Sequence, residues 1–104
     1  MFANTPKPPY YAVIFTSIMN ESSPSYASVA ERMVNLAKLE PGFLGIESAR
    51  NEVGITVSYW RDLASIKRWK ENAEHKIAQQ KGKDNWYKSY KTRICLVERD
   101  YQKI

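Results

Sequence analysis

A chain of 104 residues is read as one domain, long enough to bury a core and too short for a second. With 43% hydrophobic and 26% charged residues it has a globular composition, and no apolar run approaches the roughly 20 residues of a membrane helix, which excludes a membrane span. The net charge of +5 gathers between Arg61 and Arg93, where ten Lys or Arg stand against four Asp or Glu; Glu71 and Glu74 interrupt the run, as on a solvated helix face.

The first residues, MFANTPKPPYY, lack a basic stretch followed by an apolar one, and Pro6, Pro8 and Pro9 would break such a helix. Residues 1–9 therefore read as an extended arm, without an export signal, before a single domain over 10–104. YAVIFTSI, from Tyr11 to Ile18, is a β-branched and aromatic run that makes a first strand beginning near Tyr10. Ser23 can cap a helix with Pro24 at its first position, and Tyr26, Val29, Ala30, Met33, Val34 and Ala37 recur at helical spacing until Pro41-Gly42 ends it. Phe43 to Arg50 and Val53 to Trp60 are strand-like segments around Asn51-Glu52 and should pair as a hairpin.

Asp62 is a good N-cap for a second helix, and Leu63, Trp69, Ala73 and Ile77 fall within about 60° of Ile66 on its wheel. That helix should weaken near Lys81-Gly82, where Asp84 could cap a short turn that stacks Trp86 on Tyr90. Lys91 to Arg99 alternates and suits a last strand. Cys95, the single cysteine, cannot form an intrachain disulfide, which fits a reducing compartment and makes the cytoplasm the expected location.

The order β-α-β-β-α-β predicts an α+β, ferredoxin-like fold, a four-stranded antiparallel sheet with two helices on one face. The other face should then be polar, yet the first strand sends Tyr11, Val13 and Phe15 one way and Ala12, Ile14 and Ile18 the other. The third and fourth strands are apolar on both sides too, through Ile55, Val57 and Tyr59 against Trp60, and Ile94 and Leu96 against Cys95 and Val97. A second copy packed sheet to sheet would cover the spare face, so a homodimer is expected.

PGFLGIES, ITVSYWRDLASIKRWKENAEHKIAQ and TRICLVER, in this order and at this length, resemble the antibiotic biosynthesis monooxygenase domain of the dimeric α+β barrel superfamily. The pieces that carry the resemblance are Pro41-Gly42-Phe43, Tyr59-Trp60 with Asp62 soon after, and Trp69 followed six residues later by His75. It implies oxidation of an electron-rich aromatic, phenol- or quinol-like substrate by molecular oxygen, with no flavin, metal or other cofactor. An apolar pocket can hold a deprotonated phenol that itself gives an electron to oxygen.

On that reading Trp69, His75 and Asn72 are the candidate catalytic residues, while Trp60, Trp86, Tyr87 and Phe15 are candidates to bind a small hydrophobic or aromatic ligand. His75, Asn72 or Tyr87 could exchange a proton or hydrogen-bond the oxygens. Each has a plainer reading. Trp69 lies on the buried stripe, where tryptophan fills cores; His75 is about 180° from Ile66, as a surface histidine would be, although the resemblance puts a frequent histidine there. Trp86, Tyr87 and Tyr90 could close the barrel end or pack at the dimer contact, and Cys95 reads as an inert small hydrophobe.

The haem-degrading branch of the same superfamily is disfavoured, because its iron-binding histidine falls about ten residues after the tryptophan, where this chain has Gln79, and its first-strand asparagine is missing. Polyketide-type members often carry an asparagine where Ser65 stands here. One histidine and one cysteine cannot build a zinc site, and no nucleophile or phosphate-binding motif occurs. An RNA-binding module of the same topology is disfavoured, since EVGITVSY offers only Tyr59 for base stacking, so no nucleic-acid partner is expected. The alternative to an oxygenase is a non-catalytic dimer that binds a small ligand or serves in a stress response.

Overall fold

The computed structural model describes residues 2–19, 26–78 and 87–103, with the side chains of 26–30 and 74–78 outside that description. Its elements are β1 (Tyr10–Met19), α1 (Tyr26–Leu39), β2 (Phe43–Arg50), β3 (Gly54–Trp60), α2 (Leu63–Ala78) and β4 (Tyr87–Val97). The strands form one antiparallel sheet in the order β2-β3-β1-β4. This is the ferredoxin-like arrangement the sequence predicts.

Local chemistry fixes the joints. Asp62 caps α2 by accepting the Ser65 amide on Oδ1 at 2.7 Å, and the Ser65 hydroxyl foremost, then this amide and the Arg61 guanidinium, push its carboxyl down to about 2. α1 closes through Glu40 N to Ala37 O (3.0 Å), and Phe43 N to Glu40 O (3.0 Å) turns the chain into β2. Gly42 sits in that turn under α2, and a side chain there would collide with Ser65. Arg68 ties the two helices by donating from Nε to Glu40 (3.2 Å) and from Nη2 to Ser65 Oγ (3.1 Å).

The core lies between the helices and one face of the sheet, where Val13, Ala37, Trp60 and Ile66 are buried together with Tyr11, Phe43 and Trp69 packed against them. The buried arc of α2 differs from the predicted stripe. Ser65 has no exposed surface while Leu63 is 52% exposed, so the arc is centred near Trp69, about 50° round from its expected centre at Ile66. Gly42, with no side chain, leaves room for Ser65 to approach there.

The last strand begins earlier than Lys91. Tyr90 lies in β4 opposite Ser17, so it belongs to no helical turn, and the predicted stacking partner Trp86 lies outside the described residues, as do Asp84 and the Lys81-Gly82 stop. The ladder won over the local i to i+4 signal because Tyr90, Thr92 and Ile94 alternate here and pair along β1.

Candidate functional site

The registers arrange the helix-facing side of the sheet in four rows. They run Phe43–Trp60–Tyr11–Leu96, Ile46–Ser58–Val13–Ile94, Ser48–Thr56–Phe15–Thr92 and Arg50–Gly54–Ser17–Tyr90. The first two are aromatic and aliphatic and lie with the core. The last two carry hydroxyls, a guanidinium and the rings of Phe15 and Tyr90. Tyr11 and Phe15 are four residues apart, so the first and third rows lie about 13 Å apart.

Trp69 stands over the first row. Its ring packs on Trp60 at 5.4 Å between centroids and 38° between planes, and its Nε1 donates to the Met33 carbonyl of α1 at 3.3 Å. The indole is thus fixed at both ends and stays half-buried. Trp60 departs from the wall expected of it: it is 0% exposed, held between Phe43 (5.4 Å, edge-on) and Trp69, with Nε1 donating to Ser58 Oγ at 2.8 Å. Two aromatic neighbours and a buried acceptor draw it inward, so it supports Trp69 and offers no open surface.

The third and fourth rows hold a cluster that sequence pattern alone misses. Phe15 meets Tyr87 at 5.3 Å and Tyr90 at 5.4 Å, and the two tyrosines meet each other at 5.8 Å. Regular alternation would put residues 87 and 90 on opposite faces. The β1–β4 register shifts between Ile18 and Met19, where Lys88 is the extra residue, and that bulge returns Tyr87 to the side of Tyr90. Beside the cluster, Tyr90, Ile94 and Leu96 are 65%, 50% and 48% exposed, an apolar strip on the side of β4 that faces the helices.

Of the other predicted residues, Asn72 is exposed on the shoulder of α2, one turn after Trp69. His75 belongs to α2, with its side chain outside the described residues. Among the described residues no three His, Cys, Asp or Glu side chains gather as metal ligands would, and no helix is long and apolar enough to cross a membrane.

The opposite face carries a polar clasp. Glu47 accepts the Tyr59 hydroxyl at 2.6 Å and the Ala3 amide at 2.7 Å, Thr5 donates to the Tyr10 hydroxyl at 3.0 Å, and Tyr10 donates to Asp100 at 2.5 Å. An open cleft of about 400 Å³ lies among Ala3, Tyr10, Glu47, Tyr59, Asp100 and Tyr101, across the sheet from Trp69. Burial first, then donation to a carboxylate, raises both phenols, Tyr10 beside Asp100 and Tyr59 beside Glu47. These bonds join the two ends of the chain to the sheet.

The Tyr59 hydroxyl foremost, then the Ala3 amide, hold the Glu47 carboxyl below its ordinary value. A carboxylate depressed by folding stabilises above its unfolded pKa, and that contribution is lost as pH falls through the folded value. Acidification from about pH 5 downward is therefore expected to release the segment around Ala3. The protection of the amides there, taken relative to their intrinsic exchange at each pH, should fall with acid in the native protein and depend less on pH in Glu47→Gln; protection that does not change with pH in the native protein would refute the clasp.

A ferredoxin-like α+β domain with a tryptophan-backed, aromatic-lined sheet surface defines the class. Residues 9–81 match the model of the antibiotic biosynthesis monooxygenase family, and the chain belongs to that family. It is 50% identical over 99 residues to the uncharacterized protein YqjZ of Bacillus subtilis (strain 168), covering 93% of this chain and 87% of that one. A jasmonate monooxygenase of Pyricularia oryzae is 40% identical over 43 residues, which are 41% of this chain and 20% of that protein. Among solved structures, SnoaB, a cofactor-independent oxygenase from Streptomyces nogalater, superposes with a TM-score of 0.72 at 12% identity, covering 92% of this chain and 100% of that one. A Pseudomonas aeruginosa protein does so with 0.59 at 21% identity, covering 92% and 99%. At such identities the superpositions establish the fold.

Proposed function

We propose that this chain is a cofactor-independent monooxygenase that oxidises a small phenol- or quinol-like aromatic on the helix-facing side of the sheet. Family membership and the fold shared with SnoaB support the reaction class. The observation that carries the location is the bulge that gathers Phe15, Tyr87 and Tyr90 on the same side as the fixed indole of Trp69. The rings of Phe15, Tyr87 and Tyr90, with Thr56 and Thr92 in the row of Phe15, offer a flat aromatic contact edged by hydroxyls, which suits an aromatic ring.

The chemistry balances without a cofactor for a phenol with an oxidisable ring CH₂. The substrate loses a proton, passes one electron to O₂, and the two radicals join through a new C–O bond. The peroxide anion so formed takes back a proton, and the resulting hydroperoxide eliminates water, leaving one oxygen atom in the carbonyl product and the other in water. Trp69 and Phe15 would hold the ring, Trp60 would back them, and Tyr87, with His75 and Asn72 of α2 and Trp86 before β4, would exchange the proton and shield the site.

A second copy completes the protein in this reading. The face away from the helices presents Ile14, Val57, Ile55 and Ile18, the last two 46% and 42% exposed, and these form an apolar strip that another sheet would cover. A sedimenting species of two chain masses is expected at micromolar concentration, and a stable monomer would remove this part.

A non-catalytic ligand-binding protein is the second reading, and one observation favours it. The Trp60 and Trp69 N–H groups are both taken by internal acceptors, so neither is left to a substrate oxygen. Oxygen uptake with a panel of hydroquinones and anthrones decides between the two. The enzyme should consume one O₂ per product carbonyl formed; saturable binding of the same compounds with no uptake would sink the oxygenase and leave the binding protein.

A further inference from the structure

The hydroxyls on the helix-facing side of the sheet divide into those taken by neighbouring side chains and those left open. Ser58 Oγ accepts the Trp60 indole at 2.8 Å, and Ser17 Oγ accepts Nη2 of Arg50, which reaches it across Gly54. In the row between these two serines stand Thr56 on β3 and Thr92 on β4, each paired with Phe15 of β1. Thr56 is half-buried and Thr92 exposed, and among the described residues neither hydroxyl has a hydrogen-bond partner.

β3, β1 and β4 are neighbours in the sheet, so the two threonines flank Phe15 at two strand spacings, about 10 Å apart. A benzene ring with oxygens on opposite carbons, lengthened by a hydrogen bond of about 2.8 Å at each end, has a similar reach. Oxygens on adjacent carbons lie on one side of the ring and meet one threonine at most. Because a threonine hydroxyl is attached next to the backbone, its place is set by the sheet itself, and it can both donate and accept. Phe15 gives the ring between them its apolar contact, with Tyr87 and Tyr90 packed beside it.

We propose that Thr56 and Thr92 are the specificity-determining pair of the helix-facing site, and that they select a ring whose phenolic oxygen and reacting carbon lie opposite one another. This rests on the location of the site given above and adds the substitution pattern of the substrate. In the reaction described there, one end of the ring is the oxygen that loses its proton and the other is the CH₂ that becomes the carbonyl. One threonine holds the first end, and the other donates to the oxygen atom that O₂ leaves on the second.

Titrations without oxygen, using 1,4-dihydroxynaphthalene, 1,2-dihydroxynaphthalene and 1-naphthol, read binding in the absence of turnover. The native protein should bind the 1,4-diol about 2- to 10-fold tighter than 1-naphthol, the scale of one more neutral hydrogen bond, and should not favour the 1,2-diol in this way. Thr56→Val and Thr92→Val keep the branched shape and remove the hydroxyl. Each should abolish the 1,4 preference and leave 1-naphthol, which still finds the other hydroxyl, near native affinity. The double variant should weaken 1-naphthol as well, and Thr56→Ser should keep the preference. Lost packing would act on all three probes alike, and circular dichroism confirms that the variants are folded.

Equal affinity of the native protein for the 1,4-diol and 1-naphthol would overturn the proposal, as would a 1,4 preference that survives in the folded double variant; either leaves the location standing. If no probe binds at all, the helix-facing site falls with it, which distinguishes failure of the location from failure of the threonine pair.

Discussion

Replacing Trp60 by alanine is expected to cost about 3–5 kcal/mol of folding stability, the range for a buried tryptophan cut back to a methyl. The side chain has no exposed surface and is held by Phe43 on one side and Trp69 on the other. Its removal also leaves the Ser58 hydroxyl, in a position only 6% exposed, without its indole donor. A small domain has about 5–15 kcal/mol of stability in all, so this loss is a large share of it. Trp60→Phe keeps most of the volume and should lose roughly 1–3 kcal/mol, the scale of an orphaned buried partner. Urea unfolding followed by far-ultraviolet circular dichroism reads both, and a loss below about 1 kcal/mol for the alanine variant would show that the core closes without this ring.

The fate of Trp60 shows what sequence pattern resolves and what it does not. Strand and helix order followed from alternation, caps and breakers, because Asp62, Gly42 and the turn at Asn51 act on their own neighbours. The two faces of β1 were legible for the same reason, since side-chain alternation is a local property. Placement of the rings was not. Trp60 and Trp69 are equally aromatic in sequence, and only the packing of α2 decides that one is enclosed and the other half-open. A wheel drawn on Ile66 missed the turn of α2 toward Ser65, because the space Ser65 occupies is left by Gly42, more than twenty residues upstream.

Likewise, the Phe15, Tyr87 and Tyr90 cluster depends on a one-residue bulge, and Arg50 reaches Ser17 only across a glycine on the strand between them. Both are properties of register, which pairs residues that are distant in the chain. A clue was present in the spacing of Arg50 and Gly54 about the hairpin turn, where a long cation faces a residue with no side chain. Its meaning needed Ser17 from a third strand.

Trp69→Ala should separate the site from the core. The indole is only half-buried, so its removal is expected to destabilise less than the loss of Trp60, while the aromatic support for a bound ring disappears. On the oxygenase reading, kcat/KM for a phenolic substrate should fall about 10- to 100-fold, since a loosely held substrate loses the alignment that makes electron transfer and C–O bond formation productive. Trp69→Phe is the informative companion. It retains a ring against Trp60 and gives up the donation to the Met33 carbonyl, so substrate affinity should stay close to native while kcat drops as the ring loses its fixed orientation. A merely structural tryptophan would behave otherwise: both variants would lower the unfolding midpoint, and turnover measured well below that temperature would match the native protein. Native kcat/KM in folded Trp69→Ala would remove this residue from the site and shift the search for the reacting group toward Tyr87 and the row of Phe15.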